Sequence, residues 1–319
     1  MDLTVCICTH NRPRYVRDCL AGLRAQTLPR SDWALLLVDS GSDPAHAAEL
    51  RVMAAEHRAG LIRLNQPGVS LARNAGAWAA RSRYIAYIDD DAVPAPDWAE
   101  AILAAVNRPG RPPAVIGGRI LPKWEAPLPG WWPASLRGVL SIIEHEGEGE
   151  YRGNGLPSGL EPYAANMVLH VTSMIAVGGF GTTNGRFGKS LLSDEEVQLA
   201  WRLQDAGHSA RYDSHIVVHH QIQARRLEPS WLLTRLYWQG ASTVLTRRLL
   251  HNSGSVWREL PRRLAVALLL WPLVLVPANS PRLIEGRWRV AYAAGFIRAA
   301  LGSHIGKAVM RRTSAPAKA

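Results

Sequence analysis

Apolar residues along this chain come in short, β-rich runs that alternate with stretches at helical spacing. "LTVCICT" (Leu3–Thr9) is the first run and stops at the polar turn "HNRP". Arg14 to Ala25 follows, with Val16, Leu20 and Leu23 spaced for one face of a helix. Trp33–Val38 predicts a second strand, ending at Asp39 and a Ser/Gly/Asp loop. "GLIRLN" predicts a third, "GVSLARNAGAWAA" a helix after Gly68, and "YIAYI" a fourth strand stopping at Asp89, Asp90 and Asp91. This alternation predicts an α/β fold, a parallel sheet covered by helices on both sides. Such sheets bind ligands beyond the carboxyl ends of their strands. Three of those ends carry "THN", "DSGSD" and "DDD", so the polar residues collect on one edge.

The middle of the chain is less regular. "LPKWEAPLPGWWPASLRG" (Leu121–Gly138) reads as loop or short elements, and "EHEGEGEYRGNGLPSG" (Glu144–Gly159) as a loop, mobile or simply solvated. "SDEEVQLAWRLQDAG" (Ser193–Gly207) predicts a helix capped by Ser193, buried through Val197, Leu199 and Leu203, and stopped by Gly207.

Charge divides the chain in two. Residues 225–319 carry 16 Lys/Arg against 3 Asp/Glu, while residues 1–224 carry 21 against 23. The expected organisation is an α/β domain over 1–224 and a basic, apolar helical appendage over 225–319. Within the latter, Leu264–Pro281 is an uncharged run of 18 residues flanked by Arg262, Arg263 and Arg282. A spanning helix needs ~20 apolar residues, and Pro272 interrupts this one. The expectation is a membrane-surface or partly inserted segment, ahead of a true span or buried helices. Arginines set among Leu, Trp and Val suit anionic lipid and argue against a nucleic-acid partner. The N-terminus shows no signal pattern, and Cys6, Cys8 and Cys19 make no disulfide framework. The expected location is the cytoplasm, at the inner face of the cell membrane.

Asp89 and Asp91, two apart at a strand end, suit a hard divalent cation with sites left open for phosphate oxygens. Mg²⁺ or Mn²⁺ held there would neutralise a diphosphate leaving group. D-x-D alone is a weak motif, and an acidic solvated turn is the plain alternative. Asp39 can accept from a pyrimidine N–H or a ribose hydroxyl, or close an Asx-turn.

Taken in order, "CICTHNRP", "LLLVDSGSDP", "GVSLARNAGAWAARSRYIAYIDDDAVP" and "LLSDEEVQLAWRLQDAG" resemble the inverting family-2 glycosyltransferases of the GT-A fold, over roughly residues 3–222. The resemblance implies a Rossmann-like, mostly parallel sheet with flanking helices, its nucleotide-binding half joined to an acceptor-binding half. It implies that Thr9, Asn11 and Asp39 hold the base and ribose of a nucleotide-sugar, with Arg73 near the diphosphate. Asp89 and Asp90 would join that donor site. Asp89 and Asp91 would match the family's D-x-D, Asp91 as the direct metal ligand. It further implies an acidic pair three residues before a Leu that opens L-x-x-R. Leu199 and Arg202 set that register, so the pair falls on Glu195 and Glu196. Glu196 would then be the base that takes the acceptor hydroxyl's proton, with Asp194 as the alternative. Acidic residues in a first helical turn also simply favour the macrodipole.

By the same resemblance His219 or His220 would be a third metal ligand. "PYAANMVLHVTSMIAVGGF" resembles the family's acceptor-side segment, while Trp131 and Trp132 suit either sugar stacking or core packing. The expected activity is transfer from a nucleotide-diphosphate sugar to a glycan or lipid-linked acceptor, in cell-surface polysaccharide or glycolipid synthesis. A nucleotidyltransferase would open with a Gly-rich phosphate loop where this chain has "THNRP". A non-catalytic membrane-binding protein would explain the basic tail but not the acidic strand ends.

Overall fold

The structure is a computed structural model that describes residues 2–153, 155–157, 159–182, 191–250, 252–276 and 280–302. The chain folds as two units. The first comprises Met1–Glu125, Leu140–Phe180 and Glu196–Ile222; the second comprises Ala126–Val139, Gly181–Glu195 and Gln223–Ala319.

The first unit is organised by β1 (Leu3–Thr9), β2 (Trp33–Asp39), β3 (Gly60–Arg63) and β4 (Tyr84–Asp89), parallel in the order β3-β2-β1-β4. β1, β2 and β4 are buried along nearly their whole length, which is why they read as continuous apolar runs rather than alternating ones. Helices α1 (Pro13–Arg24), α2 (Pro44–Glu56) and α3 (Val69–Ala79) connect them. α1 and α2 open on a proline, whose missing N–H costs nothing in a first turn. The sheet continues through β8 (Asn166–His170), β6 (Val115–Trp124), β9 (Ala210–Ile222) and β5 (Ala92–Pro94). β8 is antiparallel to both β4 and β6, whereas β6 and β9 run parallel. α4 (Trp98–Val106), α5 (Val171–Ala176) and α6 (Glu195–Asp205) complete the layers.

Two expected loops are partly strand. Leu121–Trp124 is the end of β6 and pairs with His219–Ile222 of β9. Glu148–Glu150 forms β7, antiparallel to β9. Both owe their conformation to a partner far along the chain, which a local pattern does not display. Asn154 and Ser158 of the second loop lie outside the described residues. The cysteines are free, with Cys6 and Cys19 buried and Cys8 partly so.

The second unit is helical: α7 (Pro229–Leu249), α8 (Ser253–Leu270) and α9 (Pro281–Leu301). α7 and α9 meet backbone to backbone at two glycines. A Cβ on Gly240 would lie 2.1 Å from the Tyr292 carbonyl oxygen, and one on Gly295 1.8 Å from that of Tyr237. Val244, Val256, Leu260 and Phe296 form the core between these helices. Glu259 of α8 ties the bundle together by pairing with Arg247 of α7 at 2.5 Å and with Arg263. Among the described residues no helix is long and apolar enough to cross a membrane. Residues 277–279 of the uncharged run, and 303–319 with Lys307, Arg311, Arg312 and Lys318, lie outside the described residues.

Candidate active site

The parallel register sets Thr9 beside Asp39 and Cys8 beside Asp89, so the three polar strand ends do share one rim. The loops after β1 and β2 are stitched together there. Asn11, in a left-handed conformation (φ 54°), accepts from the Asp43 N–H at 2.8 Å and donates to its carboxylate at 3.0 Å. Its own N–H donates to Ser42 Oγ at 3.0 Å. Asp39 is buried; its Oδ1 accepts from the Ser42 N–H at 2.8 Å, and its Oδ2 lies 3.5 Å from Arg63. Asp39 thus closes an Asx-type turn, the plain alternative read from the sequence, while keeping acceptor capacity on Oδ2.

The aspartates after β4 divide by environment. Asp89 is half-exposed at the strand end; Asp90 and Asp91 are buried. The cation that offsets them is Arg12, whose fork donates to Asp90 Oδ1 and Asp91 Oδ2, each at 2.6 Å. Thr9 adds a hydrogen bond to Asp90 Oδ2 at 2.7 Å. Burial pushes the Asp90 carboxyl up to about 7; Arg12 opposes this, Asp91 adds to it and the Thr9 bond opposes it. Burial works against the charge of Arg12, but Asp90 and Asp91 outweigh it and raise the guanidinium's pKa. Asp90 is therefore an interior tie between β1, α1 and β4.

The second oxygen of the Asp91 carboxylate, Oδ1, faces His220 Nε2 at 3.4 Å. His220 Nδ1 lies 3.0 Å from the Leu140 carbonyl oxygen, so Nδ1 carries the proton. Nε2 therefore turns toward a carboxylate oxygen, and the two atoms together are a nitrogen–oxygen donor pair of the kind divalent metals take. His219 alternates to the other face of β9 and is the less buried of the two. Of the two candidate histidines, His220 is the one that meets the aspartates.

Arg73 connects the strand end to the helix start. It is buried on α3, with Nη2 3.4 Å from Asp89 Oδ1 and Nη1 3.2 Å from Glu196 Oε1. Its cation also lies 5.4 Å from the centroid of the Phe180 ring. Of the acidic candidates, Glu196 is held by Arg73. Glu195 is buried, at 3% exposure. Asp194 belongs to the second unit; at φ 79° its carboxylate accepts from Gln239 at 3.0 Å and reaches Thr246 at 3.5 Å.

Arg12 and Arg202 carry roles that sequence reasoning missed. Arg202, read only as a register mark, donates to the carbonyls of Val177 (2.6 Å) and Gly179 (2.5 Å), fastening α6 to the turn after α5. Asn74 clamps the same turn through the Phe180 backbone, at 2.8 and 2.9 Å. The signal for Arg12 was the adjacency of "HNRP" to the aspartates, once β1 and β4 are paired. Trp132 is buried, which suits packing rather than sugar stacking; Trp131 is partly exposed.

Among the described residues, the one acidic or imidazole triad with ligand atoms within 4.8 Å is Glu148, Asp213 and His215. It sits toward the opposite end of β9 from His220. Arg108 pairs with Glu148 and, at 2.8 Å, with Asp213, so its charge is already matched by a protein cation.

The Glycosyl transferase family 2 model matches residues 4–143. Over 246 residues the chain is 26% identical to the glucosyl-dolichyl phosphate glucuronosyltransferase of Haloferax volcanii, covering 76% of each chain. It is 25% identical over 250 residues to the pre-mycofactocin glycosyltransferase of Mycobacterium tuberculosis, covering 77% of this chain and 48% of that one. The structure resembles the mannosyltransferase PcManGT of Pyrobaculum calidifontis, solved with GDP-Man and Mn²⁺ (TM-score 0.56, 16% identity, 98% of this chain and 79% of that one). It also resembles S. aureus TarS 1-349 solved with UDP (TM-score 0.52, 13% identity, 95% and 92%). These structural likenesses bear on the fold, which is that of the GT-A glycosyltransferases with a helical C-terminal region.

Proposed function

We propose that this chain, which belongs to glycosyl transferase family 2, is a metal-dependent inverting glycosyltransferase. It moves a sugar from a nucleotide-diphosphate sugar to a hydroxyl of a glycan or lipid-linked acceptor, at the cytoplasmic face of a membrane. The observation that carries the reading is the Arg73 guanidinium between Asp89 and Glu196. Inverting transfer needs a base facing the acceptor and a stabilised leaving group opposite it, and this contact joins the two elements that would supply them. A bound diphosphate would draw on Arg73, leaving the Glu196 carboxylate to take the acceptor hydroxyl's proton.

Asp91 Oδ1, the half-exposed Asp89 carboxylate and His220 Nε2 would hold Mg²⁺ or Mn²⁺. The fit rests on His220, whose Nδ1–H donates to a carbonyl as metal-ligating histidines do with their second nitrogen. When bound, the metal neutralises charge developing on the diphosphate. Arg12 holds the far oxygen of Asp91 and so orients the near one. Thr9 and Asp39 line the nucleotide end, while Asn11 acts through the loop pairing it maintains. The acceptor class draws on the Haloferax relative, whose name carries a dolichyl phosphate, and on the basic second unit.

The test is release of nucleoside diphosphate by purified protein with Mn²⁺ across UDP-, GDP- and dTDP-sugars. One donor is expected to turn over, and a chelator or Asp91→Asn to stop it with the fold retained. No release from any donor refutes the reading; turnover unchanged by chelator removes the metal from it.

A further inference from the structure

The helical unit carries an apolar seam that it does not bury. Trp257, Leu264, Leu268, Trp271 and Leu275 recur at steps of seven, four, three and four, tracing one face of α8 and the turn after it. Leu268, Leu269 and Leu275 are 72%, 77% and 70% exposed. Single exposed leucines are ordinary, but a contiguous stripe marks an interaction surface. Val256 and Leu260 face the bundle core instead.

Charge indicates what covers the seam. Residues 260–284 contain no Asp or Glu, whereas Arg258, Arg262 and Arg282, which neighbour the stripe in sequence, are exposed. A second copy docked two-fold on this face would gather both sets of arginines at one rim. An anionic headgroup layer would pair with them. The tryptophans fit as well, since their rings favour the level of the headgroups.

The backbone supplies an independent observation. Past Trp271 the α-helical ladder ends, and carbonyls there would be stranded in lipid. Arg287 of α9 reaches across to them. Its Nε donates to the Leu273 carbonyl at 2.9 Å, and its Nη2 to those of Val274 (3.2 Å) and Val276. Three carbonyls at the apolar tip are therefore satisfied from within the protein, an arrangement that a turn facing water does not require.

We propose that the end of α8, from Leu264 to Val276 and capped by Arg287, is a wedge that enters the headgroup–acyl boundary of an anionic bilayer. The wedge, not a spanning helix, holds the enzyme at its membrane. This deepens the membrane-facing reading above and rests on it.

The test is co-sedimentation of full-length protein with phosphatidylcholine vesicles, with and without phosphatidylglycerol. Two variants accompany it: Leu268→Glu/Leu269→Glu/Leu275→Glu, at exposed positions where folding is not at stake, and Arg287→Lys. Wild type is expected to pellet with the anionic vesicles, and the triple variant to lose roughly ten-fold or more in partition. Arg287→Lys keeps the charge but not the fork, so its binding is expected to persist at low salt and wash off at high salt. If the triple variant pellets like wild type, charge alone binds the membrane and the wedge is wrong. Wild type left in the supernatant at low salt overturns the membrane reading itself. A wild-type dimer that the triple variant converts to monomer, with neither pelleting, assigns the face to a second copy.

Discussion

Replacing Arg12 with Met keeps the apolar stem and removes the fork over Asp90 and Asp91. Both carboxylates have side chains exposed by no more than 5%, and each accepts from the guanidinium at 2.6 Å. Breaking a buried pair by removing one partner costs about 3–5 kcal/mol, a large share of a total stability of roughly 5–15 kcal/mol. The cost depends on pH through Asp90, whose carboxyl stands at about 7 in the folded protein against 3.8 ordinarily. The folded state therefore holds this proton more tightly than the unfolded state does. Stability from this group is fully present below about 4 and falls as pH rises toward 7. Without Arg12 the carboxyl moves higher still, and a protonated Asp90 needs no cation. Arg12→Met is therefore expected to cost most at pH 8 and clearly less at pH 6, with Asp90→Asn in the same chain recovering part of the loss. Native-state hydrogen exchange of β1 and β4 amides reads this in the first unit whatever the helices do. A loss below about 1 kcal/mol at pH 8, or the same loss at both pH values, would refute the reasoning.

Glu196→Gln keeps size but cannot accept a proton; transfer is expected to fall roughly 10²–10⁴-fold with donor affinity nearly kept. An active Glu196→Gln beside an inactive Asp194→Asn would move the base to Asp194. Gly179 has φ +68°, and a Cβ there would lie 2.6 Å from Asn74 Oδ1. Gly179→Ala should then cost about 1–3 kcal/mol by thermal unfolding, and an unchanged midpoint would show that the turn yields. At Glu259 burial pushes the carboxyl up, but the Arg247 hydrogen bond and the charges of Arg263 and Arg247 outweigh it and hold it below its usual value. Its stabilisation is present above about 4.5 and lost as pH falls through the lowered value. Glu259→Gln should destabilise the helical unit by roughly 1 kcal/mol near neutrality and by less in acid; an equal loss at both would rule out the ion pair.

The sequence alone determined the parallel half of the sheet, because β1, β2 and β4 are buried on both faces and so appear as unbroken apolar runs. The shared rim of polar strand ends, where the donor site is proposed, was equally legible. Thr9, Asp39 and Asp89 each terminate such a run, and parallel strands must end on one edge. Local pattern also marked the start of α6. Tertiary structure decided what depends on pairing across the chain. β6 and β7 escaped notice because their strand character comes from β9, roughly 95 and roughly 60 positions further along the chain and in no local period. Arg12 became the partner of Asp90 and Asp91 only when β1 was laid beside β4. His220 was separated from His219 only by the face of β9 on which each falls. The apolar run after Arg263 had the same composition whether its residues were buried, spanning or exposed. The fold settled that by leaving Leu268, Leu269 and Leu275 uncovered while Val256 and Leu260, just ahead of the run, are buried, since hydrophobicity is a property of the residue but burial depends on what else the chain brings to that face.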